Sequence, residues 1–166
     1  MRIGIGMDAH RFAPGRRLVL GGVEIPGSPG LEGHSDADVV VHSLMDAMLG
    51  ACGAGDIGAR FPDTDPAFRG ASSLALLAEV LGIVRTEGQE VVNVDIVVVC
   101  EEPKIAPFVG EMRESVAAAC GVEPGAVSIK GTTTEGMGFT GRGEGIAAIA
   151  VALLSGSSGG RDGGGG

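Results

Sequence analysis

The chain has 166 residues, 44% of them hydrophobic, enough for one domain with a core of its own. Its formal charge is −9, from 21 acidic against 12 basic side chains, which argues against nucleic acid and an anionic membrane surface as partners. Three widely spaced cysteines without a C-x-x-C exclude a disulfide framework and a thiolate zinc site. With no apolar run of signal-peptide or membrane-span length, they point to a reducing cytoplasm.

With no Trp, no Tyr and five Phe, the core must be built from Val, Leu, Ile, Ala and Met. Residues 2–10 alternate: Ile3, Ile5, Met7 and Ala9 point one way, Gly4, Gly6, Asp8 and His10 the other, which predicts a strand with one apolar face. Leu18 to Ile25 is a shorter extended stretch, closed by Pro26 and Gly27, and 27–34 is a Gly-rich loop. A helix is predicted from Ser35, with Ser35 as cap and Asp38 three residues on, to about Ala51. Its apolar stripe is Val40, Leu44, Ala47, Met48 and Ala51. Residues 53–70 are too rich in Gly, Pro and Asp for regular structure.

Ser72 to about Thr86 is a second helix, and Val91 to Cys100 a β-branched strand whose composition suits burial on both faces. Pro107 to Cys120 is a third helix. Val127 to Lys130 is a strand leading into a polar loop, and a last strand runs from about Gly145 to Leu154. Strands interleaved with helices predict a single α/β (α+β) domain over 1–155, a mixed, mostly four-stranded sheet packed on helices. A flexible Gly/Ser-rich tail over 156–166 completes the chain.

Four constellations can carry chemistry. Asp8 and His10, two apart on a strand, share a face, so a carboxylate and an imidazole can converge on one ion; a solvated strand face has the same pattern. His42 lies off the apolar stripe of its helix, in line with Asp38 and Asp46. Asp46, one turn on, can take the proton on its second ring nitrogen, as carboxylates do for zinc-bound histidines; the alternative is a surface histidine with a helical partner. Together the three make a zinc set with an open fourth position. Thr132, Thr133, Thr134 and Glu135 offer hydroxyls and N–H groups for phosphate and a carboxylate for a hard cation, or else a Thr-rich turn. The segments 56–58 and 61–65 can bind sugar hydroxyls or make ordinary turns, and Lys104 and Arg142 are among few cations available to an anion.

The motifs RIGIGMDAHRF, GHSDADVVVH, DAMLGACGAGDIGARFPDTDP, EEPKIAPF and IKGTTTEGMGFTGRGEGIAAIAVALL, spread in order over 1–154, resemble the 2-C-methyl-D-erythritol 2,4-cyclodiphosphate synthase family. The resemblance implies conversion of a cytidine diphosphate derivative of methylerythritol 2-phosphate into the cyclic diphosphate, with release of CMP. It implies Zn²⁺ on Asp8, His10 and His42, and Mg²⁺ or Mn²⁺ on Glu135 and the substrate phosphates. His34 and Thr133, as catalytic residues, and Ser35 match groups around the reacting phosphates. Asp56, Ile57, Gly58, Phe61, Pro62, Asp63, Thr64 and Asp65 match the loop around methylerythritol. Cys100, Lys104, Ile105 and Ala106 match the segment that encloses cytosine. Thr132, Thr134, Phe139 and Arg142 match further substrate contacts.

The same resemblance implies a homotrimer with sheets toward its centre and active sites between neighbours. At that centre Phe139, Arg142 and Glu144 lie in the stretch matching an isoprenoid diphosphate site. Two dications with Lys104, Lys130 and Arg142 would reconcile a polyanionic substrate with an acidic protein. The chain departs from the common pattern at Ile5, often His, at Ala37 in place of Gly, and at the acidic pair Glu101–Glu102. The open zinc position also suits a phosphohydrolase that activates water. A non-enzymatic alternative is a binding module whose histidines are structural.

Overall fold

The computed structural model describes residues 1–62, 64, 68 and 70–156. Its strands are β1 (Arg2–Ala13), β2 (Leu18–Leu20), β3 (Val23–Ile25), β4 (Gly30–Leu31), β5 (Gln89–Val99), β6 (Val127–Thr132) and β7 (Gly145–Gly156). The helices are α1 (Val39–Cys52), α2 (Ile57–Arg60), α3 (Ser73–Thr86), α4 (Val109–Cys120) and α5 (Gly138–Gly141). Five strands form one mixed sheet in the order β4-β1-β7-β5-β6, parallel only between β5 and β6, and β2 and β3 make a separate hairpin. The expected four-stranded sheet gains β4, a two-residue edge. β7 takes in Ser155 and Gly156, beyond the predicted strand end, and 157–166 lie outside the described residues.

The helices cover one face of the sheet. That face is made of small residues where α1 crosses it: Gly4 and Gly6 of β1 and Ala148, Ala150 and Ala152 of β7, all buried. The approach is close enough that a Cβ on Gly4 would stand 1.9 Å from the Ala47 carbonyl oxygen, and one on Gly6 2.1 Å from that of Ser43. Twelve of the fourteen residues of α1 are therefore buried, far more than the five-residue stripe expected of it.

The start of α1 also differs from expectation. Its cap is Asp38, whose carboxylate accepts from Val40 N and Val41 N and, across the fold, from Gly21 N and Gly22 N at the β2–β3 turn. Ala37, at φ +56, is left-handed, so no helix can run through it from Ser35. Burial pushes the Asp38 carboxyl up to about 6, while these backbone donors favour its charged form.

On the other face of the sheet the alternation of β1 has an unexpected outcome. Ile3, Ile5 and Met7 are 71%, 71% and 59% exposed, and Ile149, Val151 and Leu153 of β7 stand beside them half-buried. The same face of β5 is partly exposed, so β5 is buried on one side only, through Val94, Ile96 and Val98. Toward β6 the face turns polar, where Lys130 Nζ donates to both carboxylate oxygens of Asp95 at 2.6 and 2.7 Å. Among the described residues no helix is long and apolar enough to cross a membrane.

Candidate functional site

Asp8 and His10 project from the core face of β1 just past Gly6, and His42 comes down on them from the first turns of α1. Asp8 Oδ2 lies 2.9 Å from His10 Nε2 and 3.0 Å from His42 Nδ1, and the two ring nitrogens are 3.3 Å apart. These separations suit the edges of a tetrahedral shell around an ion with bonds of roughly 2.0–2.1 Å, so the donor set fits zinc. Burial alone would raise the Asp8 carboxyl. The hydrogen bonds and charge of His10 and His42 more than reverse this and hold it well below the usual carboxylate range.

The second nitrogen of His42 does not meet Asp46. Nε2 lies 2.9 Å from Ser73 Oγ and 3.2 Å from Ser35 Oγ, while Asp46 Oδ1 accepts from Ile57 N and fastens α2 beside the site. The Ser73 hydroxyl donates to Asp36 Oδ1, and Asp36 Oδ2 accepts from Ser73 N at the start of α3. Neither Asp36 nor Ser73 carried a sequence signal beyond residue type. Their link to His42 joins three separate segments.

Around the three ligands is a cleft of about 230 Å³. Of the sequence-predicted residues it is lined by His34, Ser35, Ile57, Gly58 and Phe61, together with Gly33, Met45, Phe68 and Leu76, which sequence reasoning missed. Phe61 and Phe68 meet edge to face at 5.3 Å between centroids and wall one side. Arg16 steadies the opposite side by donating to the carbonyls of Gly33 and Ser35. Asp56 caps α2 through Ala59 N, and Pro62 and Thr64 are exposed. The predicted Asp63 and Asp65 lie outside the described residues.

The remaining predicted residues gather elsewhere. Cys100, Lys104, Ile105, Ala106, Thr132 and Thr133 line a second cleft of about 420 Å³ between the turn after β5 and the end of β6, with Lys130 and Gly131. The Lys104 ammonium donates to the Glu101 carbonyl, and that of Lys130 is engaged by Asp95. Glu101 Oε1 accepts from Thr134 N and Gly136 N, so this carboxylate holds the polar loop in place. Within that loop Glu135 takes a left-handed φ of +53 and accepts from Thr133 Oγ1 at 2.8 Å, while Thr134 Oγ1 bonds the Met137 carbonyl. Phe139 lines a third cleft beside Ala9, His10, Arg11 and Glu144, and Arg142 pairs with Glu144 at 2.6 Å.

The first two clefts share no lining residue. They open at one end of the sheet but three strands apart: His10 stands opposite Ile146, Ala147 opposite Val99, and Val99 opposite Thr132. Three inter-strand steps separate β1 from β6 by roughly 14 Å.

A model of the YgbB family matches residues 1–155. A 2-C-methyl-D-erythritol 2,4-cyclodiphosphate synthase of Symbiobacterium thermophilum is 64% identical over 156 residues, covering 94% of this chain and 99% of the relative. The chain belongs to the YgbB family, that of 2-C-methyl-D-erythritol 2,4-cyclodiphosphate synthases. A second synthase of this family, from Trichlorobacter lovleyi, is 56% identical over 93% of this chain and 98% of its own. Among solved structures, a synthase described as its CDP-bound form superposes with TM-score 0.85 at 36% identity, over 93% of this chain and all of that one. IspF of Plasmodium falciparum, as a CDP complex, gives 0.82 at 31% identity over 95% and 97% of the two chains.

Proposed function

We propose that this chain converts 4-diphosphocytidyl-2-C-methyl-D-erythritol 2-phosphate into 2-C-methyl-D-erythritol 2,4-cyclodiphosphate and CMP, in non-mevalonate isoprenoid biosynthesis. The observation that carries the reading is the convergence of Asp8, His10 and His42 within 4.8 Å, inside a family of that activity. The substrate's 2-phosphate attacks its own β-phosphorus and CMP leaves, so no covalent protein residue is needed. The protein's task is to bring the two phosphates into line.

Zinc on Asp8, His10 and His42 and Mg²⁺ or Mn²⁺ on Glu135, when bound, supply Lewis acidity and neutralise charge on the diphosphate. The chain's own residues do the rest. His34 and Ser35 face the phosphates from the metal-side cleft; Ile57, Gly58 and Phe61 shape the space for methylerythritol, with Asp56 fixing their helical turn. Cys100, Lys104, Ile105 and Ala106 form the wall against which cytosine rests, which accords with CDP in two structural relatives. Thr132 and Thr133 border the same cleft, so the phosphates enter beside Glu135.

Both metal positions must serve one diphosphate, which is shorter than the gap between β1 and β6. A complete site therefore takes the metal-side cleft of one chain and the nucleotide-side cleft of another. The exposed Ile3, Ile5 and Met7, continued by β7, give the apolar face on which a homotrimer assembles. The test is product analysis: with zinc and magnesium, the candidate substrate should yield CMP and the cyclic diphosphate in equal amounts. Release of free phosphate instead would make the protein a phosphohydrolase and overturn the proposal.

A further inference from the structure

The orientation of the His42 ring is set by groups the proposed reaction does not use. Ser73 Oγ has one proton, and it is given to Asp36 Oδ1. Toward His42 Nε2, 2.9 Å away, Ser73 can then act only as acceptor, so Nε2 carries a proton, and it is the one the ring keeps when Nδ1 gives its lone pair to an ion. Nδ1 is the atom that faces Asp8 Oδ2 at 3.0 Å and His10 Nε2 at 3.3 Å. Asp36 is itself held by Ser73 N and Ser73 is fully buried, so the arrangement is rigid.

We propose that Asp36 and Ser73 are a positioning pair: a carboxylate acting through a serine hydroxyl to fix the tautomer and ring orientation of His42, and so to set the affinity of the Asp8–His10–His42 site for its ion. The proposal rests on the reading of those three residues as metal ligands. It places the orienting carboxylate on the loop before α1 rather than on α1 itself. It also has a consequence for Ser35. With Nε2 carrying the proton, the Ser35 hydroxyl, which accepts from Ala37 N at 3.1 Å, keeps its own proton available to a ligand in the cleft.

The experiment measures zinc affinity of the whole protein by competition with a chromophoric chelator, and the visible spectrum of the Co²⁺-loaded form. Wild type should bind one ion per chain. Ser73→Ala should bind zinc about 10–100-fold more weakly, the cost of losing such an orienting partner, with an altered Co²⁺ spectrum. Ser73→Thr, which keeps the hydroxyl, should restore both. Asp36→Asn should weaken binding in the same direction, and the two losses should not add in the double variant. Ser43→Ala, which removes an equally buried hydroxyl that donates to the Val40 carbonyl, should leave zinc affinity at the wild-type value. Wild-type affinity and an unchanged Co²⁺ spectrum in Ser73→Ala would overturn the proposal; if that variant does not fold, the same result in Asp36→Asn would do so. Failure of wild type itself to bind one ion per chain would overturn the ligand reading, and this pairing with it.

Discussion

At the scale of single residues, the pairing of Asp8 and His10 was legible because residues two apart on a strand share a face, a pattern that a solvated face would also give. The partner of His42 was not. An α-helical side chain leans toward its helix N-terminus, so the His42 ring reaches Ser35 and Ser73 beyond the start of α1, and Asp46, one turn the other way, is out of its path. Ser73 is 31 residues from His42, and no local pattern reports a contact of that span. Replacing His42 with Ala removes one of three ligands and leaves a buried void next to Asp8. Zinc content of the purified variant should fall from one per chain to near none, and turnover should fall by at least about a thousandfold, measured as CMP release.

At the scale of elements, periodicity located the long helices and strands, but not α2, which forms inside the segment read as irregular because Asp56 caps it. Ser35 was a plausible cap by residue type, but the left-handed Ala37 intervenes and Asp38 takes the role. β5 read as buried on both faces because valine is indifferent to which side is covered; in the structure Val94, Ile96 and Val98 are buried and Val91 packs partly against the core. The contact between β1 and α1 has little tolerance. A methyl group on Gly6 would overlap backbone atoms of α1, and backbone cannot step aside as a flexible side chain can. Gly6→Ala should therefore destabilise the protein by at least about 3 kcal/mol, read from denaturant unfolding. It should also cost zinc affinity, since separating β1 from α1 separates Asp8 and His10 from His42.

At the scale of the molecule, the sequence showed that β1 has an apolar face but not which core that face belongs to. Alternation says which residues go together; it is silent on whether their partner is the same chain. Here the glycine face meets the chain's own helix, and the isoleucine face is left exposed. If each active site joins two chains, two crippled proteins can repair each other. His42→Ala spoils the metal side and Glu135→Gln the nucleotide side, and each alone should be nearly inactive. Mixed before assembly in equal amounts, they should recover activity at about a quarter of the sites, those that pair the two undamaged halves. Recovery absent from verified mixed trimers would place both halves in one chain.

If the site is shared between chains, as the roughly 14 Å from β1 to β6 implies, catalysis also becomes a matter of dose. A chain that carried its whole site would turn over at a rate proportional to its amount at any dilution. One that borrows half of the site loses activity faster than it loses concentration once its trimers begin to part. Specific activity then reports how well neighbours hold together, and a substrate that bridges two chains lowers the concentration at which they separate. Such a protein would be steadiest when supplied with the compound it consumes.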